Sequence, residues 1–438
     1  MLLNAADKAL WRLALPMIFS NITVPLLGLV DTAVIGHLDS PVYLGGVAVG
    51  ATATSFLFML LLFLRMSTTG LTAQAWGAKD PQRLARALVQ PLALALGAGV
   101  LIILLRLPLI DLALHIVGGS EAVLEQARRF LEIRWLSAPA SLANLVLLGW
   151  LLGVQYARAP VILLVVGNLL NIVLDLWLVM GLRMNVQGAA LATVTAEYAT
   201  LIIGLLMAKR VLTLRGVSLA MLKNAWRGDL RRLLALNRDI MLRSLLLQLC
   251  FGALTVFGAR LGSDIVAVNA VLMTMLTFTA YALDGFAYAV EAHSSQAYGA
   301  RDGSQLLEVW RAACRQSGMV ALAFALIYSL AGQYIIALLT SLPSLQQLAD
   351  RYLIWQTILP VVGVWCYLLD GMFIGATRGA EMRNSMAVAA AGFAVTLLTL
   401  PVLGNHGLWL ALAVFLALRG LSLALIWRRH WRRGTWFS

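Results

Sequence analysis

Charge is scarce in this sequence. Of 438 residues, 12% are Asp, Glu, Lys or Arg, about half of the ~25% usual in soluble domains. Too little polar surface remains to cover a water-soluble globule. Acid is scarcer still, with 20 Asp and Glu against 33 Lys and Arg and a formal net charge of +13. Cysteine is nearly missing. Cys250, Cys314 and Cys366 suggest neither a disulfide framework nor a CxxC or His/Cys metal site. No Walker A, GxSxG or HExxH sequence occurs, so ATP hydrolysis and the common hydrolytic chemistries have no anchor, and no resident cofactor is expected. Disorder is excluded from the other side, by a hydrophobic content of 61%.

What is present is a series of long apolar runs. A transmembrane helix needs roughly 20 mainly apolar residues. Twelve such stretches occur, at 13–36, 46–70, 88–110, 133–153, 160–182, 187–208, 237–259, 266–293, 316–339, 352–376, 384–402 and 406–427. Most are apolar all round, as helices immersed in lipid are, and the connections leave no room for a folded soluble domain. The chain therefore reads as an all-α integral membrane protein of twelve spans. The first span is too long for a signal h-region, which predicts that no leader is cleaved. The basic residues orient the bundle. Twenty-three lie in segments on the same side as the N-terminus, seven in the alternating segments, and Arg65, Arg243 and Arg419 within spans. That asymmetry predicts both termini in the cytoplasm, and it accounts for the positive charge without a nucleic-acid partner.

The sequence also repeats. Ala73-Gln-Ala-Trp-Gly-Ala-Lys-Asp80 returns as Ser295-Gln-Ala-Tyr-Gly-Ala-Arg-Asp302, an offset of 222 residues. Arg129-Phe-Leu131 meets Arg351-Tyr-Leu353, and Gly149 and Gly153 meet Gly371 and Gly375, at the same 222. These matches predict an N-lobe over 1–208 (spans 1–6), a basic connector over 209–236 and a C-lobe over 237–438. Six spans per half put the halves in one orientation, a parallel repeat suited to a central cavity and alternating access. Leu219, Leu222, Leu230, Leu233 and Leu234 among the connector's charges predict a partly amphipathic, interfacial helix.

Against this apolar background each intramembrane charge demands a reason, because it costs about 2.5–3.5 kcal/mol or more at mid-bilayer. Asp31 lies deep in span 1, following Pro25, with Pro16 nearer the inner face; each proline frees a carbonyl and invites a bend. Span 5 carries Asn168, Asn171 and Asp175 on one helix face, and span 6 adds Thr193, Thr195, Glu197 and Tyr198. A carboxylate among amides and hydroxyls in a low dielectric can take and release a proton on a modest rearrangement. Asn and Thr also form plain packing networks between spans, the better account of Asn168 alone. In the second half Tyr281, Asp284, Tyr288 and Glu291 make one stripe along span 8, and Asp370 sits in span 10. Such a stripe can line a cavity for a cation. Alternatively its acids are structural partners of Arg65, Arg243 or Arg419, and Glu291 snorkels to the interface. His293, near Glu291, is a minor candidate for a proton relay.

Taken with Leu13-Ala-Leu-Pro-Met-Ile18, Asp31, Asn171-Ile-Val-Leu-Asp175 and Gly188-Ala-Ala-Leu-Ala-Thr193, these features resemble the MATE (multidrug and toxic compound extrusion) transporters over the whole chain. The resemblance implies a V-shaped pair of six-helix lobes around a cavity, exporting amphiphilic, often cationic compounds against inward H⁺ or Na⁺. It implies a coupling site of Asp31, Asn171, Asp175 and Thr193, with span 1 bending at Pro16, and a bacterial inner-membrane location. No sustained GxxxG face calls for a dimer, so a monomer is expected. Asp370 resembles an ion-binding aspartate of another MATE branch, but that branch's span-7 glutamate has no match in Met241-Leu-Arg-Ser-Leu. Asp31, Asp284, Tyr288, Glu291 and Asp370 are then the substrate-cavity candidates. A rival reading is a flippase for lipids or lipid-linked oligosaccharides, whose anionic headgroups would use Arg65, Arg243 and Arg419; the acidic N-lobe cluster opposes it.

Overall fold

In lipid an apolar run satisfies its backbone only as a helix or a closed barrel, and this chain uses helices. The computed structural model describes residues 5–36, 41–156, 158–225, 228 and 230–437, apart from the side chains of 22–33, 36, 41, 263 and 266. Among the described residues eleven helical stretches are long and apolar enough to cross a membrane. Helix α1 (Ala5–Gly36) holds the place of the first predicted span.

The chain divides into two compact units, one of Ile22–Leu233 and one of Met1–Asn21 with Leu234–Ser438. The N-terminal unit holds the latter part of α1, then α2 (Pro41–Leu60), α3 (Phe63–Gly77), α4 (Pro81–Leu104), α5 (Arg106–Val117) and α6 (Glu121–Arg134). It continues with α7 (Ala138–Gly153), α8 (Arg158–Asp175), α9 (Val186–Leu214), the short α10 (Leu219–Asn224) and the first turn of α11 (Leu230–Leu261). The C-terminal unit holds the start of α1, the rest of α11, then α12 (Ser263–Ala300), α13 (Gly303–Leu339) and α14 (Pro343–Gly375). It ends with α15 (Gly379–Thr396), α16 (Leu400–Leu403) and α17 (Asn405–Arg433). Each core is anchored by tryptophan whose N–H finds an acceptor, as a buried indole requires. Trp150 donates to the Leu84 carbonyl at 3.1 Å in one unit, and Trp409 to Asn269 Oδ1 at 3.0 Å in the other.

Two features depart from the sequence boundaries. The second predicted span is broken at Leu61-Leu62, between α2 and α3. Residues 1–21 group with the second half of the chain, although the repeat alone assigned them to the first. The reason lies in their contacts. Asp7 accepts from Gln316 Nε2 and Arg315 Nη2, both at 3.1 Å. Trp11 packs edge-on against Phe286 with centroids 5.3 Å apart, and His293 Nε2 lies 3.1 Å from the Ala9 carbonyl.

The 222-residue repeat is also a structural one. A Cβ on Gly149 would stand 2.6 Å from the Arg65 carbonyl oxygen, and one on Gly371 would stand 2.7 Å from that of Ala287. One turn on, Gly153 faces Thr72 and Gly375 faces Ser294. Two small residues four apart thus let α7 press on α3, and α14 on α12, at backbone distance. The helix ends repeat too. Lys79 and Arg301 are both left-handed (φ 54° and 53°), as are Gln155 and Thr377 (φ 62° and 55°). Asp80 and Asp302 each cap the following helix.

Candidate functional site

Of the residues singled out on spans 5 and 6, several meet where α8 and α9 come together. Glycines permit the approach: a Cβ on Gly167 would lie 2.8 Å from Thr200 Oγ1, and one on Gly188 3.1 Å from the Leu178 carbonyl. Between these points Asn171 Nδ2 donates to Thr193 Oγ1 at 3.3 Å. Thr193 spends its own proton on the Ala189 carbonyl at 3.2 Å, so its oxygen is free to accept. Asn171 is 2% exposed and Asp175, one turn further along the same face, 1% exposed. Asn171 Oδ1 has no hydrogen-bond partner among the described residues.

Asp175 closes α8, and the helix immediately widens into a π turn over Leu176–Gly181. Widened turns of this kind are rare and concentrate at functional positions. Here the turn re-aims the chain directly after the carboxylate. Asn168 is only half-buried. Glu197 of α9 accepts from Asn144 Nδ2 at 3.1 Å and faces Arg134 Nη2 at 3.9 Å, while Tyr198 Oη donates to the Leu136 carbonyl at 2.8 Å. Asn144 and Arg134 were missed from sequence. The available signal was an asparagine inside the apolar run 133–153.

The acidic candidates of the C-terminal unit divide. Asp370 Oδ2 accepts from Arg243 Nη2 at 2.6 Å and also from Arg419 Nη2, and all three side chains are buried. For Asp370 the ion-pair alternative is therefore the arrangement found. Tyr281, Asp284 and Tyr288 are half-buried along α12, and Glu291 is buried at 2% exposure. Asp284 and Asp370 both bear electrostatically on Cys366 and Tyr367, so the span-8 stripe and the Arg243–Asp370–Arg419 group share one region of this unit. His293 is engaged with the Ala9 carbonyl. Arg65, in the other unit, is buried and donates to Thr69 Oγ1 at 3.3 Å.

Against this geometry the family model for MatE matches residues 16–177 and again 240–403, one copy in each half of the chain. The chain belongs to the MATE family. It is a multi-pass membrane protein of a family of multidrug efflux transporters. This MATE protein is 87% identical over 436 residues to DNA damage-inducible protein F of Escherichia coli (strain K12), covering 100% of this chain and 95% of that one. It resembles solved MATE structures in a straight and a bent conformation, with TM-scores of 0.86 and 0.84 at 22% and 24% identity, over 98% of this chain and 96% of each of those. Those structures carry the fold. In this MATE protein Pro16 is half-buried in α1, within the C-terminal unit. Asp31 and Pro25 lie on α1 outside the residues whose side chains are described.

Proposed function

We propose that this MATE protein is a secondary antiporter that exports amphiphilic, cationic compounds across the bacterial inner membrane in exchange for H⁺ (or Na⁺). The coupling chemistry belongs to Asp31, Asp175, Asn171 and Thr193. One observation carries the reading: buried Asn171 hydrogen-bonded to half-buried Thr193, with Asp175 buried one turn away at the junction with a π turn.

The mechanism follows from what those groups can donate and accept. Asn171 Oδ1 is an acceptor lacking a protein partner among the described residues. A carboxyl beside it that gains a proton becomes a donor, and a buried acceptor is expensive to leave unmet. Na⁺, a hard cation, would use the same carboxylate and amide oxygens as ligands. A substrate cation held partly by Asp31 loses its counter-ion when an external proton neutralises that acid. The span-1 helix then shifts near Pro16, the substrate leaves outward, and release of the proton inside resets the site. The flippase reading loses two of its three cationic groups, since Arg243 and Arg419 already share Asp370.

The test is uptake of a fluorescent organic cation by proteoliposomes under an imposed pH gradient, repeated with a Na⁺ gradient. Transport that follows the pH gradient and is lost in Asp31→Asn and Asp175→Asn is the expected result. Full gradient-driven transport by both variants would remove these residues from the coupling step.

A further inference from the structure

A small cavity of about 100 Å³ lies wholly within the N-terminal unit, away from α8 and α9. Leu71 of α3 and Leu233 of α11 form its apolar wall, and its polar wall is almost entirely cationic: Arg83, Arg86 and Arg232, with Gln90. Arg83, Arg86 and Gln90 fall at i, i+3 and i+7 on α4, one helix face. Arg232 comes from the first turn of α11, so the cavity joins the end of the connector to α4. Gly228 presses the connector against Arg86, since a Cβ there would stand 2.5 Å from Nε of that guanidinium.

Like charge is concentrated at this cavity. Arg83 feels Arg86 and Arg232 as repelling neighbours and Asp80 as an attracting one. Asp80 also caps the α4 N-terminus, where its Oδ1 accepts from the Gln82 and Arg83 amides at 3.1 and 3.3 Å. Arg86 Nε is buried without a hydrogen-bond partner among the described residues. Guanidinium forks match the oxygens of a phosphate. The volume, about three waters at ~30 Å³ each, accommodates a group of five heavy atoms. By the distribution of basic residues, this end of the bundle is the cytoplasmic one.

We propose that this pocket binds a single phosphate group through Arg83, Arg86 and Arg232, fastening the start of α11 to α4. The phosphate comes either from an anionic lipid headgroup of the inner leaflet or from a soluble phosphate. Binding here is independent of the coupling site and is measured without transport.

The purified full-length protein is titrated with inorganic phosphate at constant ionic strength while thermal unfolding is followed. In parallel, retention of phosphatidylglycerol against diacylglycerol, which lacks the phosphate, is measured by native mass spectrometry. Stabilisation or retention is expected to weaken roughly tenfold for each guanidinium removed in Arg83→Gln, Arg86→Gln and Arg232→Gln. Lys209→Gln/Arg210→Gln, which removes two exposed charges elsewhere in the same unit, is expected to leave it unchanged. A response to the lipid alone assigns a headgroup, and a response to inorganic phosphate alone a soluble anion. A response to both assigns the phosphate group itself. The proposal is overturned if inorganic phosphate does not bind and phosphatidylglycerol is retained no better than diacylglycerol, or if the Lys209/Arg210 control loses as much as the pocket variants. Should one arginine variant fail to fold, the other two carry the same comparison.

Discussion

Two buried aspartates of this protein sit in opposite chemical company. Asp370 is the shared counter-ion of Arg243 and Arg419, while Asp175 stands one turn from an amide bonded to a hydroxyl. A carboxylate between two guanidiniums is fixed in place, because freeing it for a substrate cation leaves two permanent charges unpaired in a low dielectric. Asp370→Ala is therefore expected to cost about 3–5 kcal/mol of stability, read as loss of folded, monodisperse protein and a lowered unfolding temperature. Adding Arg243→Met and Arg419→Met to that variant is expected to restore most of it, since apolar replacement of a buried ionic group is often neutral or stabilising. An Asp370→Ala protein as stable as its parent yet dead in transport would make Asp370 a coupling residue instead. The sequence offered arginine pairing as one alternative for Asp370 but could not choose it over a cavity role. Asp370 finds its partners 127 and 49 residues away, whereas Asn171 and Asp175 share a helix and their grouping follows from spacing alone.

Helices in this protein meet through matched glycines. Gly149 lies on the Arg65 carbonyl and Gly371 on that of Ala287, so a methyl group at either point meets backbone that has nowhere to go. Gly149→Ala and Gly371→Ala are each expected to cost about 1–3 kcal/mol. Gly97→Ala in α4 and Gly318→Ala in α13, where a Cβ meets nothing within 4 Å, are expected to gain up to about 1 kcal/mol from helix propensity. Unfolding temperatures of the four variants check this, and equal losses in all of them would deny the close contact. The repeat was legible because it rests on small local signals: a glycine four residues from another, and an aspartate closing the repeated Gln-Ala-x-Gly-Ala motif. The π turn after Asp175 and the break at Leu61-Leu62 were not. Both interrupt runs whose composition remains apolar, and what decides such breaks is packing against other helices. The break therefore carries no sequence mark of the kind that Gly or Pro leaves at a turn.

At the scale of the chain, sequence order and packing disagree at one end, with a consequence for how the molecule holds together. The span count, the charge asymmetry and the duplication all follow from hydropathy and motif spacing, but none of them shows on which body a helix rests. Residues 5–21 belong to the first half in sequence and complete the second unit in space. Asp7 meets the buried amide of Gln316, Trp11 the ring of Phe286, and the Ala9 carbonyl the imidazole of His293. Gly285 of α12 lacks a side chain where Ala14 and Ile18 of α1 cross it. Removing 1–21 uncovers all four points together and leaves Gln316 and His293 without those partners, a loss that concentrates on α12 and α13. Hydrogen exchange on the truncated protein is accordingly expected to show faster exchange in α12 and α13, while α3, α7 and α9 keep their protection. Loss of protection in α3 and α7 with α12 and α13 unchanged would return these residues to the first unit.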